Sequence, residues 1–383
     1  MSKAVSRQDW EQRAAALQVQ GQAYIGGQYQ PAASGETFEC VSPIDGRVLA
    51  QIASCDQADA DQAVASARAT FDSGVWSRSA PAKRKRILQR FADLIDAHCE
   101  ELALLETLDM GKPIGDSLAV DIPGAARSIR WCAEAIDKIY DEVAPTAHDE
   151  LGLVTREPVG VVGCITPWNY PLHQVILKVV PAIAAGCTVV LKPSEIAPQS
   201  AYILADILDQ TDLPEGVFNL VCGEGHTVGD TLIKHPDVNM VSFPGSTRTG
   251  SLIAHAAADD FKRFALEMGG KSASVILSDA DLAKAVKGTV NNCLLNSGQT
   301  CTALTRMLVP AQKHDEACEL AANAVAKMTP GNPLEETTRL GPLASAQQRD
   351  KVIDFINIGI KEGATLIAGG PEAPEGCDKG YFV

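Results

Sequence analysis

The chain has 383 residues and carries 48 acidic against 33 basic side chains, a formal net charge of −15. An acidic chain offers no basic face to a phosphate backbone, which speaks against nucleic acid and membrane surfaces as partners, and no stretch reaches the roughly 18 apolar residues of a membrane span. Eleven cysteines without a Cys-x-x-Cys pair, seven scattered histidines and no apolar N-terminal core suit a reducing, cytoplasmic compartment and no bound metal.

Length alone predicts two domains. Residues 8–18 read as a short amphipathic helix, and Tyr24 to Tyr29, with its glycine pair, as a hairpin. Apolar residues at helical spacing follow over 56–71 and 82–108. The basic run Lys83-Arg84-Lys85-Arg86 flanks an apolar stripe in an acidic chain and reads as a solvated face. Gly111-Lys112 is no phosphate loop, because Pro113 follows the lysine and Glu106 stands where the first glycine belongs. A helix is expected over 123–140 and a polar, extended segment over 141–156.

Next come short β-branched runs alternating with helical segments. Strands are predicted at 159–165, 188–191, 217–221 and 239–243, with helices at 172–185, 199–210, 226–234 and 247–258. This alternation implies a parallel sheet, whose ligands bind at the carboxyl ends of the strands. After the first strand stands Thr166-Pro167-Trp168-Asn169-Tyr170-Pro171. Asn169 can offer an uncharged amide N–H to a developing oxyanion, or can simply occupy a proline-bounded turn. After the second stands Lys192-Pro193-Ser194-Glu195, where Lys192 and Glu195 can bracket ribose hydroxyls or form a surface pair. An acidic Glu195 would repel a 2′-phosphate, favouring NAD over NADP. After the third, Gly223 to Gly229 is one residue too long for a dinucleotide fingerprint, so Gly225 is a lining candidate. After the fourth, Pro244-Gly245-Ser246 opens a helix whose N-terminus can hold a pyrophosphate.

Two further stretches carry the chemistry. Glu267-Met268-Gly269-Gly270-Lys271 sets a carboxylate before a glycine pair, and Gly298-Gln299-Thr300-Cys301 sets a thiol among small and polar residues that interrupt an apolar helical pattern. A thiol needs only a modestly lowered pKa to attack a carbonyl near neutral pH. Strands near 274–277 and 306–309 and helices near 282–296, 312–327 and 345–361 are expected around them.

Together these two stretches resemble the NAD(P)-dependent aldehyde dehydrogenase superfamily, and matching segments extend from about Tyr24 to Val383. The resemblance implies an α/β fold: a parallel-sheet dinucleotide-binding domain from 1–138 and 157–266, a β-arm for oligomerisation at 139–156, and a second α/β catalytic domain at 267–383. It implies Cys301 as nucleophile, Glu267 as general base, Asn169 as oxyanion donor and Lys178 beside them. Cofactor contacts are implied at Ile165, Thr166, Pro167, Trp168, Lys192, Ser194, Glu195, Gly225, Gly229, Phe243, Gly245, Ser246, Met268 and Gly269, with Pro244 in place of the family's threonine. The implied reaction is oxidation of an aldehyde to a carboxylic acid with NAD as acceptor. The alternatives are acyl transfer to coenzyme A and a silent chain that serves as an assembly partner. The chain stops before the family's Glu-Glu-x-Phe-Gly-Pro motif and tail, with which a homodimer or homotetramer is expected. Leu177 stands where many relatives carry a large aromatic, and with His173 and Gln174 suggests a bulky or polar aldehyde.

Overall fold

The computed structural model describes residues 5–383. Its centre is a seven-stranded sheet. An N-terminal hairpin, β1 (Ala23–Ile25) and β2 (Gln28–Gln30), forms one edge, and a separate antiparallel pair, β3 (Thr37–Val41) and β4 (Val48–Ala53), comes after it. A second isolated hairpin, β5 (Glu142–Ala144) and β6 (Gly152–Val154), occupies the segment expected to be extended. Then come β7 (Val161–Ile165), β8 (Thr188–Lys192), β9 (Phe218–Leu220), β10 (Met240–Gly245) and β11 (Arg263–Met268), all parallel to one another. The spatial order is β11-β10-β7-β8-β9-β1-β2. Winding therefore proceeds outward from β7 through β9, then returns to place β10 and β11 on the other side of β7.

Alternation along these strands feeds two cores. Val162, Cys164, Val189, Leu191, Phe218 and Leu220 face a layer of helices at Pro81–Ala97, Cys99–Met110, Ile122–Ala135, Pro171–Ala184 and Gln199–Asp209. Val161, Ile165, Val190, Val221 and Val241 face the opposite layer, formed by Gln57–Ser73, Asp230–Lys234 and Thr247–Asp259. Every residue of β7 and β8 is buried, which is why these strands read as continuous apolar runs with no polar alternation. Beyond β11, a parallel pair, β12 (Ala273–Val275) and β13 (Arg306–Leu308), joins the helices Leu282–Leu294 and His314–Val325 around Ile276, Val286 and Val290.

Four features depart from the expectations. The β3–β4 hairpin was not among the expected elements, although Asp45-Gly46 lies between the alternating runs Phe38 to Cys40 and Val48 to Ile52, and the helical stretch over 82–108 is two helices meeting at His98. The segment at 226–234 opens as a wide π turn, Gly225–Gly229, before becoming α-helical. The fourth is β11, a fifth parallel strand running through the expected 266/267 domain boundary. It is an edge strand with mostly exposed side chains and no Val or Ile, so it lacks the composition by which the buried strands declare themselves. Among the described residues no helix is long and apolar enough to cross a membrane, and no cluster of His, Cys, Asp or Glu is arranged to hold a metal ion.

Candidate active site

Because the chain winds away from β7 in both directions, the carboxyl ends of β7 and β10 flank a crevice, the place where open parallel sheets bind ligands. A cleft of about 320 Å³ opens there. It is lined by Pro167, Trp168 and Asn169 after β7, Pro244, Gly245 and Ser246 at the end of β10, Glu267 to Lys271 at the end of β11, and Gln299, Thr300 and Cys301.

The loop ahead of Cys301 has an unusual backbone. Asn296, Ser297 and Gly298 take φ values of 54°, 54° and 78°, three successive residues in the left-handed region. A non-glycine residue there costs roughly 1–2 kcal/mol, so two in a row need external restraint. Side-chain bonds supply it. Asn296, buried, donates from Nδ2 to the Asn169 carbonyl at 2.7 Å, and Asn169 donates from Nδ2 to the Gln299 carbonyl at 2.9 Å. The two loops thus hold each other. Ser297 Oγ bonds the Gly341 carbonyl and amide, both at 3.0 Å, and Gln299 Oε1 accepts from the Ala344 amide at 3.0 Å. The neighbours of Cys301 are tied down while its own side chain stays free and exposed. By contrast Cys55, Cys164 and Cys222 are buried, and burial pushes each thiol up to about 12.

Glu267 lies opposite Pro244 in the β10–β11 register, and its half-exposed carboxylate is paired with Lys178 Nζ. Lys178 is no surface lysine: its side chain is buried on the helix Pro171–Ala184, and burial lowers its pKa from the usual range. Gln174, one turn earlier, is buried, lines the cleft, and keeps Oε1 without a partner. Leu177 is partly exposed, and His173 is half-buried beside Gly124.

The rest of the crevice suits a dinucleotide. Thr166 Oγ1 is buried without a partner just after β7. Lys192, buried at the end of β8, reaches Glu195 Oε2 and the Pro193 carbonyl, each at 3.0 Å, and the Ser194 hydroxyl accepts from the Ile196 amide at 3.3 Å. Ser246 caps the helix Thr247–Asp259, accepting from the Thr249 amide at 3.2 Å. A side chain at Gly245 would come within 2.3 Å of the Phe243 ring, so only glycine fits there. At Gly225 and Gly269 nothing lies within 4 Å of where a Cβ would stand, and Gly229 sits beside Ile165 and Lys192, leaving open backbone for a ligand. Pro244 falls beyond Ser242, the last residue of β10 paired with β7, so its missing N–H breaks no rung on that side.

Cys301, Glu267, Asn169, Pro167, Trp168, Gly245, Ser246, Met268 and Gly269 therefore share one cleft. Lys192, Ser194, Glu195, Gly225 and Gly229 lie farther along the same sheet edge. Gln348 and Lys351, on the helix Ala346–Lys361, also line the cleft and were not singled out from the sequence. Two polar residues three apart on an amphipathic helix carry no local signal.

The aldehyde dehydrogenase family model matches residues 29–383. The chain belongs to this family. As an aldehyde dehydrogenase family member it is 47% identical to the NADP/NAD-dependent aldehyde dehydrogenase PuuC of Escherichia coli (strain K12), over 94% of this chain and 73% of that one. It is 41% identical to the aminoacetaldehyde dehydrogenase of Pseudomonas aeruginosa, over 100% of this chain and 77% of that one. Among solved structures, the P. syringae indole-3-acetaldehyde dehydrogenase AldA, determined as a cysteine-to-alanine variant with NAD+ and IAA, superposes with a TM-score of 0.97 at 50% identity, covering 99% of this chain and 77% of that one. The aldehyde dehydrogenase KauB from Pseudomonas aeruginosa gives the same values.

Proposed function

We propose that the chain oxidises an aldehyde to its carboxylic acid with NAD as hydride acceptor, using Cys301, Asn169 and Glu267. The observation that carries this reading is the convergence of an exposed thiol, a side-chain amide and a carboxylate on one cleft at the mouth of a dinucleotide-type crevice. The names of the relatives support it, since they are NAD(P)-dependent or NAD+-bound aldehyde dehydrogenases.

Cys301 as thiolate attacks the carbonyl carbon, and the negative charge moves to the oxygen of a thiohemiacetal. One Asn169 amide hydrogen is already committed to the Gln299 carbonyl. Its second hydrogen, with the Cys301 backbone N–H, is the donor set for that oxyanion. The chemistry NAD supplies when bound is acceptance of a hydride from the former carbonyl carbon, which leaves a thioester on Cys301. Ser246 and the helix it caps would hold the pyrophosphate, Lys192 and Glu195 the ribose, and Gly225, Gly229 and Thr166 the remaining wall. Glu267 then draws a proton from water as the water attacks the thioester carbon, and the thiolate departs with release of the acid. Lys178 holds the Glu267 carboxylate between turnovers. The unpartnered Gln174 oxygen and partly exposed Leu177 favour a bulky or polar aldehyde.

We assign dinucleotide binding to 1–138 and 157–268, so that β11 stays whole, the catalytic half to 269–383, and subunit contact to the arm at 139–156. Eleven free cysteines fit a cytoplasmic setting. The test is NADH absorbance over a panel of aldehydes. Cys301→Ser should abolish turnover, and Glu267→Gln should leave a rapid burst of NADH and then slow deacylation. Full steady-state activity in Cys301→Ser would overturn the assignment.

A further inference from the structure

Glu106 and Lys112, which both belong to the stretch that falls short of a phosphate loop, are bonded to each other beneath the site. Lys112 Nζ donates to Glu106 Oε1 at 2.8 Å and to Asp121 Oδ1 at 2.7 Å, and all three side chains are fully buried. Nothing in the proposed reaction uses them. A buried ion cluster of this kind contributes little net stability, because desolvation offsets the attraction. What distinguishes this one is what its free ends touch. The Lys112 ammonium lies 3.8 Å from the centre of the Tyr170 ring, and Glu106 Oε2 accepts the Leu172 amide at 3.2 Å in the first turn of the helix Pro171–Ala184. Tyr170 comes directly after Asn169, and its hydroxyl lies 2.8 Å from Thr300 Oγ1, on the residue before Cys301. Thr300 gives its single proton to the Leu295 carbonyl at 3.2 Å, so Tyr170 must be the donor.

We propose that Glu106, Lys112 and Asp121, acting through Tyr170 and Thr300, are positioning residues that set the Cys301 loop against the Asn169 loop. None of the three ionic side chains touches the reacting atoms. The ammonium fixes the plane of the Tyr170 ring, the carboxylate fixes the start of the helix beyond it, and the phenol carries that placement across to the nucleophile's neighbour. This inference rests on Cys301 being the nucleophile.

The experiment compares Tyr170→Phe, Thr300→Val, the double variant and Glu106→Gln in kcat, in KM for NAD, in melting temperature, and in the rate at which iodoacetamide alkylates Cys301, measured by mass spectrometry of its peptide. Tyr170→Phe keeps the ring and the fold, and is the decisive variant where Lys112→Met, which leaves two carboxylates uncompensated, fails to fold. Each single substitution should lower kcat about tenfold with KM for NAD unchanged, and the double variant should be no slower than the worse single one, since both remove the same bond. The alkylation rate should show the same non-additivity, and Glu106→Gln should reproduce the kcat loss. Additive effects of Tyr170→Phe and Thr300→Val would overturn the proposal. So would a Glu106→Gln enzyme that melts earlier while kcat and the alkylation rate are unchanged. Turnover surviving in Cys301→Ser would remove the nucleophile assignment, whereas the alkylation cycle reports the loop contact independently of it.

Discussion

Asn169 does two things with one amide: it ties the turn after β7 to Gln299, and it leaves a hydrogen free over the cleft. Asn169→Ala should therefore lower kcat by about 10²–10³ while NAD still binds, as expected for loss of an oxyanion donor; steady-state kinetics with a cofactor titration checks this. A second prediction concerns Asp109, away from the chemistry. It is fully buried, accepts the Gln199 amide at 2.8 Å and the Cys40 thiol at 3.1 Å, and burial pushes its carboxyl up to about 7 despite those bonds. A carboxyl raised in the folded state contributes stability that is full below its unfolded pKa and lost as pH rises towards the folded one. From this group, stability should fall by up to about 1.4 kcal/mol per pH unit between roughly pH 4 and pH 7. Asp109→Asn should flatten that slope in denaturant melts taken across the range. Cys301 was legible in the sequence because glycine and polar neighbours surround it. Lys178 was placed near Glu267 only through the family resemblance, and Gln348 and Lys351 were not singled out at all, because such proximity depends on how separate elements pack.

Among the elements, the loop from Asn296 to Gln299 stores backbone strain directly ahead of Cys301 and is held by bonds to two other segments, the Asn169 turn and the stretch from Gly341 to Ala344. At Gly298 a Cβ would meet nothing closer than 3.6 Å, so Gly298→Ala tests backbone strain without steric clash. It should destabilise the protein by about 1–2 kcal/mol and depress kcat more than KM, read by thermal melts and kinetics on the same sample. The buried strands were readable from their apolar runs, whereas β11 was not. Its run Arg263 to Met268 has no Val or Ile and is mostly exposed, and its place is set by pairing with β10 rather than by burial on both faces. Glu267 thus rides on the element least visible in the sequence. The β3–β4 hairpin was readable from Asp45-Gly46 between two alternating runs, yet it packs as a two-stranded unit apart from the main sheet, with only part of its length buried.

At the scale of the whole molecule, the β5–β6 hairpin projects apolar side chains into solvent, with Val143 70%, Leu151 74% and Leu153 61% exposed. Such a patch on an otherwise acidic surface is suited to a second copy of the chain. Val143→Glu with Leu153→Glu should lower the mass measured by light scattering while leaving the melting temperature of the protomer within a few degrees. An unchanged mass would place the subunit contact elsewhere. The reversal of winding at β7 has a consequence for biosynthesis. One wall of the cofactor crevice is made early, and its partner wall, β10, is made only after β8, β9 and their helices have been translated. At about 5–20 residues per second the half-crevice waits several seconds on the ribosome. Until β10 is made, the β7 edge it will cover stays unpaired, and a two-walled site for a dinucleotide exists only afterwards.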